Sequence, residues 1–452
     1  MTRRTKPAGY LISVVTTLGI ALICTFVLGR TYSELALKKE PFSRLSYVSS
    51  FDPVEDVTLG LSPNSTNAGA AKPAAAIRAI EIYPAQTLML AGGRAVRIIN
   101  QRAPKTLRDL VRIIRDRHWI SESSATVTLN AAVVVEHGSS MTIAAPVTSG
   151  LVMTVRPGVF LAASRGKLRI AGVYIRASDA KVPDTFTSLS RDIGRPFLLA
   201  VQDSSMIIKD STFKYLGRDW NSSYGTTWSK GSTGSVSNST FDHDFIGVYS
   251  NDSNGLRVMH DKFYYNSLYG VDPHSGSSHL QIEYNTSNFN GRHGIIFSDH
   301  VTGSTVRYNV TKGNGLNGIM MDEASTNNII AHNTVTDNES DGVVIANSND
   351  NVVTDNTVSG NRVGITVRGH ARDTKIFDNT ITANAMASEG ADLSQNRTYG
   401  NGSMWSGKRI GVIWSGTFAL LLALLGGTWM LQERPGRPSR PAGNHCKPRN
   451  TI

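Results

Sequence analysis

Cysteine is almost missing from this chain: Cys24 and Cys446 are the two in 452 residues. Both lie near the ends, so no disulfide framework staples the middle, which must rely on its core and its hydrogen bonds. Acidic residues are outnumbered, 35 against 46 Lys and Arg, which leaves a formal charge of +11. Much of that excess sits in the two flanks, so it speaks for membrane topology and against nucleic acid as a partner. Long apolar runs are scarce. Tyr10–Leu28 and Ile410–Leu431 are uncharged and long enough to span a bilayer.

Arg3, Arg4 and Lys6 precede the first run. It ends without the Ala-x-Ala pattern that favours cleavage, so it reads as an uncleaved anchor and not as a signal peptide. Lys408 and Arg409 precede the second run, and five basic residues against Glu433 follow it. By the positive-inside rule both termini face the cytoplasm, and everything between lies on the extracytoplasmic side of the cell membrane. The organisation expected is therefore an anchor over 1–29, a linker over 30–76 and a folded domain over 77–388. A second linker over 389–409, a transmembrane helix over 410–431 and a basic tail over 432–452 complete it.

What the middle does contain is repetition. Gly247, Gly270, Gly294, Gly318, Gly342 and Gly364 are spaced 23, 24, 24, 24 and 22 residues apart. Asn238, Asp261, Asn285, Asn309, Asn333, Asn356 and Asn379 keep the same period, and self-similarity of this kind means stacked supersecondary units. Short apolar runs follow each glycine, too short for helices and rich in strand formers. The fold class expected is all-β, a right-handed parallel β-helix whose asparagines stack as an internal ladder. Thr106–His118 carries apolar residues on one helical side and reads as a helix capping the first coil, whose open edge would otherwise invite pairing.

One turn departs from the repeat. Leu268-Tyr269-Gly270-Val271-Asp272-Pro273-His274 puts a proline into a strand flanked on both sides, which marks a bulge or irregularity. Side chains alternate along a strand, so Asp272 and His274 share a face. Tyr249 and Asn251 precede them on that face; Ile296 and Ser298, then Met320 and Asp322, follow. A carboxylate beside an imidazole on a solvent-facing sheet is the candidate site. Its bland alternative is a surface turn with a chance histidine.

The segment from Tyr215 to Asn384 resembles the alginate (mannuronan) C-5 epimerases of the right-handed β-helix type. Tyr269 to His274 resembles that family's Tyr-Gly-hydrophobic-Asp-Pro-His signature. Leu216-Gly217-Arg218-Asp219, Ser223-Tyr224-Gly225, His293-Gly294-Ile295-Ile296 and Asn317-Gly318-Ile319-Met320 support it. The resemblance implies that His274 is the proton-abstracting base and that Asp272 orients it or contacts sugar. Tyr249, Tyr269, Arg292, His293, Asp299, His300 and Asp322, in this and the neighbouring coils, are the candidate substrate-binding residues. Two departures stand out. Ser275 occupies a position where the family often has an acid, and Ser298-Asp299-His300 lacks the arginine that would neutralise the substrate carboxylate. Arg292, His300 or Arg307 is left to replace it.

The activity implied is C-5 epimerisation of uronic acid residues in a polyuronate, by an isomerase bound to an anionic polysaccharide at the membrane beside polysaccharide synthesis or export proteins. A lyase, or a non-catalytic carbohydrate-binding or scaffold β-helix, is the alternative. No cofactor is expected. Metal binding by His293, Asp299, His300 and Asp322 is the sharper alternative, but their spacing matches no tight ligand motif. Trp220, Tyr224 and Trp228, in and beside an insertion over Asn221–Ser235, suit either sugar stacking or core packing.

Overall fold

A computed structural model describes residues 78–178 apart from 93 and 157, 195–382 apart from 220 and 221, and the strands Met386–Glu389 and Arg397–Tyr399. Both apolar runs, the linker over 30–76, most of the linker over 389–409, the basic tail, the Asp179–Gly194 segment and Trp220 lie outside the described residues. Among the described residues no helix is long and apolar enough to cross a membrane.

Short strands stack coil upon coil into three sheets of 14, 11 and 12 strands. Beyond the N-terminal hairpins each strand pairs in parallel with its counterparts one coil away, as in Ile295–Ile319, Val306–Ile330 and Thr311–Val335. This is the parallel β-helix expected from the period. Inward residues of all three sheets form one continuous apolar column from Ile80 to Ile381. Within it Phe213, Phe241 and Phe263 stack at 4.7 and 5.0 Å. The glycines of the repeat permit the close corner that starts each coil. A Cβ at Gly270 would lie 2.0 Å from Ser287 Oγ and 2.6 Å from the Gly294 carbonyl.

The asparagine ladder is present, and it is one of several. Asn309 Oδ1 accepts the backbone and side-chain amides of Asn285, while its own amide donates to Ile282 O and Asn333 Oδ1. A second ladder runs Asp244, Asn266, Asn290, Asn314, Asn338 and Asn361. A shorter third one links Ser304, Asn328 and Asn351. Asn238 does not belong to the first. It is an exposed corner residue with φ 49°, and Ser239 takes the rung, donating its N–H to Asp261 Oδ1 at 2.7 Å.

The N-terminal end is closed as a solenoid edge must be. Helix α1, Leu107–Ile114, has Thr106 as N-cap in a reciprocal capping box with Asp109, and buries Leu107, Leu110 and Ile114 against the column. It is shorter than the Thr106–His118 reading because Arg115 turns left-handed at φ 53° and ends it. Antiparallel hairpins over 78–99 and 120–129 add further cover. At the other end the ladder runs past Ser388, because Arg397–Tyr399 pairs in parallel with Lys375–Phe377.

Candidate active site

The first sheet, of 14 strands, carries the candidate site. Val248, Val271, Ile295 and Ile319 face the column. Alternation turns Tyr249, Asp272, Ile296 and Met320 outward as one row, and Asn251, His274, Ser298 and Asp322 as the next. A third outward row, unread from the alternation, precedes the repeat glycines: Tyr269, His293, Asn317 and Asp341. Asp341 shows its direction, accepting a 2.8 Å hydrogen bond from Thr366 in the Asp272 row.

Pro273 interrupts pairing on one side only. Val271 to His274 pair in full with Val248 to Asn251, but toward the next coil only Val271 and His274 keep partners, Ile295 and Ser298. Backbone donors here point to the following coil, as Val271 N does to Gly294 O and Ser275 N to Ser298 O. Proline removes the donor between them. The irregularity expected of this turn is therefore real.

The face is outward but not bathed in solvent, which corrects the expectation of an open sheet. Tyr249 is 5% exposed and Asp272 3%, because large side chains of adjacent rungs close over one another. Tyr224 packs on Tyr249 at 4.6 Å between ring centroids, and Tyr249 lies 5.9 Å from the His274 ring. His274 is half-buried. Its Nδ1 lies 2.5 Å from Ser275 Oγ, and Ser275 Oγ donates to Asp299 Oδ2 of the next coil at 3.0 Å. Asp299 Oδ1 in turn bonds the exposed His300 Nδ1. Asp272 Oδ1 accepts from Ser298 Oγ at 3.1 Å.

Burial pushes the His274 imidazole below its ordinary pKa, and the Asp299 charge opposes that shift. Burial also pushes the Tyr249 phenol well above its ordinary value, helped by Tyr224 and Asp272 and opposed by a hydrogen bond to Asn251. Near neutral pH the histidine is thus unprotonated and the tyrosine protonated, side by side.

The remaining candidates divide. Tyr269 stacks on His293 at 5.3 Å, and His293, 1% exposed, accepts the Asn317 N–H at Nδ1 at 3.3 Å; both are enclosed. Arg292 is half-buried at the corner before this strand, and Asp322 is half-buried in the His274 row. Arg307 lies on another sheet, paired with Glu283 at 2.6 Å. Trp228 is fully buried and donates to Met206 O at 3.3 Å, so it packs the core, whereas Tyr224 joins the site. His260 and His332 are corner residues that end an aromatic stack through Tyr284 and Tyr308 spaced 4.8 to 4.9 Å. What the sequence reading missed is Ser275 as a link. The 24-residue step from Ser275 to Asp299, one full repeat, was the available signal.

Solved structures share this architecture. The periplasmic alginate epimerase AlgG matches with a TM-score of 0.62 at 23% identity, covering 68% of this chain and 84% of that one. A double-mutant form of that epimerase matches at 0.59 with 27% identity, covering 64% and 71%. In fold, this chain is an alginate-epimerase-like parallel β-helix. The family described as periplasmic copper-binding protein (NosD) matches residues 201–409 of this chain. Among the described residues no three His, Cys, Asp or Glu side chains gather as a metal-ligand group. No curated protein matches the sequence.

Proposed function

We propose that this chain is a membrane-anchored isomerase that epimerises C-5 of uronic acid residues within a mannuronan-like polyuronate, with its β-helix on the extracytoplasmic side. The apolar runs Tyr10–Leu28 and Ile410–Leu431 would be its anchors. Polysaccharide synthesis or export proteins in the same membrane would supply the polymer. The observation that carries the reading is the pairing of His274 and Tyr249, whose environments drive their proton affinities apart. Such a pair is a base and an acid ready for use.

In the reaction, a cation or hydrogen-bond donor first stabilises the enolate-like form of the substrate carboxylate; Arg292 and His300 are the candidates for that role. His274 then takes the C5 proton, leaving its electron pair on the sugar, and Tyr249 or a water returns a proton to the opposite face. Asp272, held by Ser298, would bind or orient sugar beside the base.

The test is exchange at C5 in deuterated water with a panel of polyuronates. The wild-type chain should incorporate deuterium without shortening the polymer, and His274→Ala should slow this by about a hundred- to ten-thousand-fold. Shortened chains ending in an unsaturated, ultraviolet-absorbing sugar would mean a lyase. Binding without exchange in the wild-type chain would mean a carbohydrate-binding module.

A further inference from the structure

The hydrogen bonds around His274 fix which of its nitrogens is the base. Ser275 Oγ donates to Asp299 Oδ2 at 3.0 Å. A hydroxyl carries one hydrogen and a carboxylate only accepts, so that hydrogen is committed. The 2.5 Å contact between His274 Nδ1 and the same Oγ therefore has Nδ1–H as donor. The imidazole is left with its lone pair on Nε2. The backbone locks this arrangement across two coils, since Ser275 N donates to Ser298 O and Gly276 N to Asp299 O. Ser275 and Asp299 occupy equivalent left-handed corners, φ 33° and 63°, where short polar side chains reach their neighbours.

We propose that Ser275 and Asp299 are positioning residues that hold His274 as its Nδ1–H tautomer, so that Nε2 abstracts the proton and the acid behind the base comes from the next coil through a serine. This rests on reading His274 as the base. When Nε2 gains the proton, the imidazolium faces the Asp299 charge through Ser275. The other titratable groups around it are Tyr249 and Tyr224 from preceding coils, Asp272 on its own strand, His300 beside Asp299, and Asp322 one coil further on.

The experiment uses the full chain labelled with ¹⁵N-histidine, with tautomer and titration read from long-range proton–nitrogen correlations and the His274 signals assigned by their loss in His274→Gln. The wild-type chain should show Nδ1–H. In Asp299→Asn the new amide can donate to Ser275 Oγ, which frees the hydroxyl hydrogen for Nδ1 and should switch the tautomer to Nε2–H. Its C5 exchange should fall at least a hundredfold in kcat with KM changed less than threefold. Ser275→Ala should also lose the fixed tautomer, and in Asp299→Asn the acidic rate limb should move to lower pH, because the Asp299 charge no longer opposes the effect of burial. Ser275→Asp, which presents a carboxylate directly to Nδ1, should restore the Nδ1–H form and exchange to within tenfold of wild type. A wild-type Nε2–H signal, or an Asp299→Asn spectrum identical to wild type, overturns the proposal. Exchange that survives His274→Gln sinks the base reading instead, whatever the tautomer, so the two failures are separable.

Discussion

Replacing Asp261 with asparagine should stabilise this protein by an amount that grows with pH. Asp261 stands on a ladder rung that asparagine fills in the next five coils, is 1% exposed, and has no hydrogen-bond partner for Oδ2. On the next rung the Asn285 amide donates to Val258 O and Asn309 Oδ1. By register, Asp261 Oδ2 faces the matching acceptors, Val236 O and Asn285 Oδ1. A charged carboxylate there meets oxygens, and burial pushes its pKa up to about 8 against the hydrogen bonds it accepts from Ser239 and Met259.

Unfolded, the same carboxyl titrates near pH 4. Between about pH 4 and 8 the unfolded chain therefore releases a proton that the folded chain keeps, and stability falls with rising pH by about 1.4 kcal/mol per unit. The aspartate's contribution is thus complete below about pH 4 and lost above about pH 8. By pH 7 the loss is about 4 kcal/mol, which Asp261→Asn avoids because it does not titrate. Denaturation midpoints of the two purified full-length proteins, compared from pH 4 to 9, measure this directly. The other buried acids, Asp244 and Glu136, titrate alike in both proteins and cancel from the difference. A gap that is flat with pH, or that narrows as pH rises, would refute the reasoning.

Asn309→Ala removes the acceptor of two Asn285 amides and the donor to Ile282 O and Asn333 Oδ1; it should cost about 3 to 6 kcal/mol, with hydrogen-exchange protection lost mainly in the coils it joined. Asn238→Ala, at an exposed corner, should shift the midpoint by less than about 0.5 kcal/mol. Gly270→Ala forces a Cβ against Ser287 and the Gly294 carbonyl; a loss of about 2 to 3 kcal/mol is expected, with slower C5 exchange because the strand bearing His274 must move. Thr106→Ala breaks the capping box of α1 and should cost about 1 kcal/mol, seen first as faster amide exchange over Leu107–Ile114.

Much of the architecture was legible because it repeats. A period near 24 residues, glycines at one corner and asparagines at another are local signals, and each repetition reinforces the last. Asn238 was misplaced because the periodic match was one residue off the rung: an asparagine suits a left-handed corner as well as a ladder, and the sequence alone does not separate the two. The second ladder, from Asp244 to Asn361, carried the same period and went unread behind the first. Trp228 suited a sugar platform and the core equally, because an aromatic in an apparent insertion is ambiguous until its strand is paired.

The site was half legible. Alternation along one strand put Asp272 and His274 on a common face, and the proline announced the broken rung. Alternation says nothing of what meets that face from the next coil. The sequence by itself determined the coil, its period, its glycine corners and which face of the strand carries the imidazole, because all of these follow from backbone geometry within one repeat. Only the stacked structure decided that Ser275 reaches Asp299, that Tyr249 is enclosed and that Asp261 Oδ2 is buried without a hydrogen-bond partner. Those facts depend on which side chains meet across the gap between coils, and that distance is set by packing.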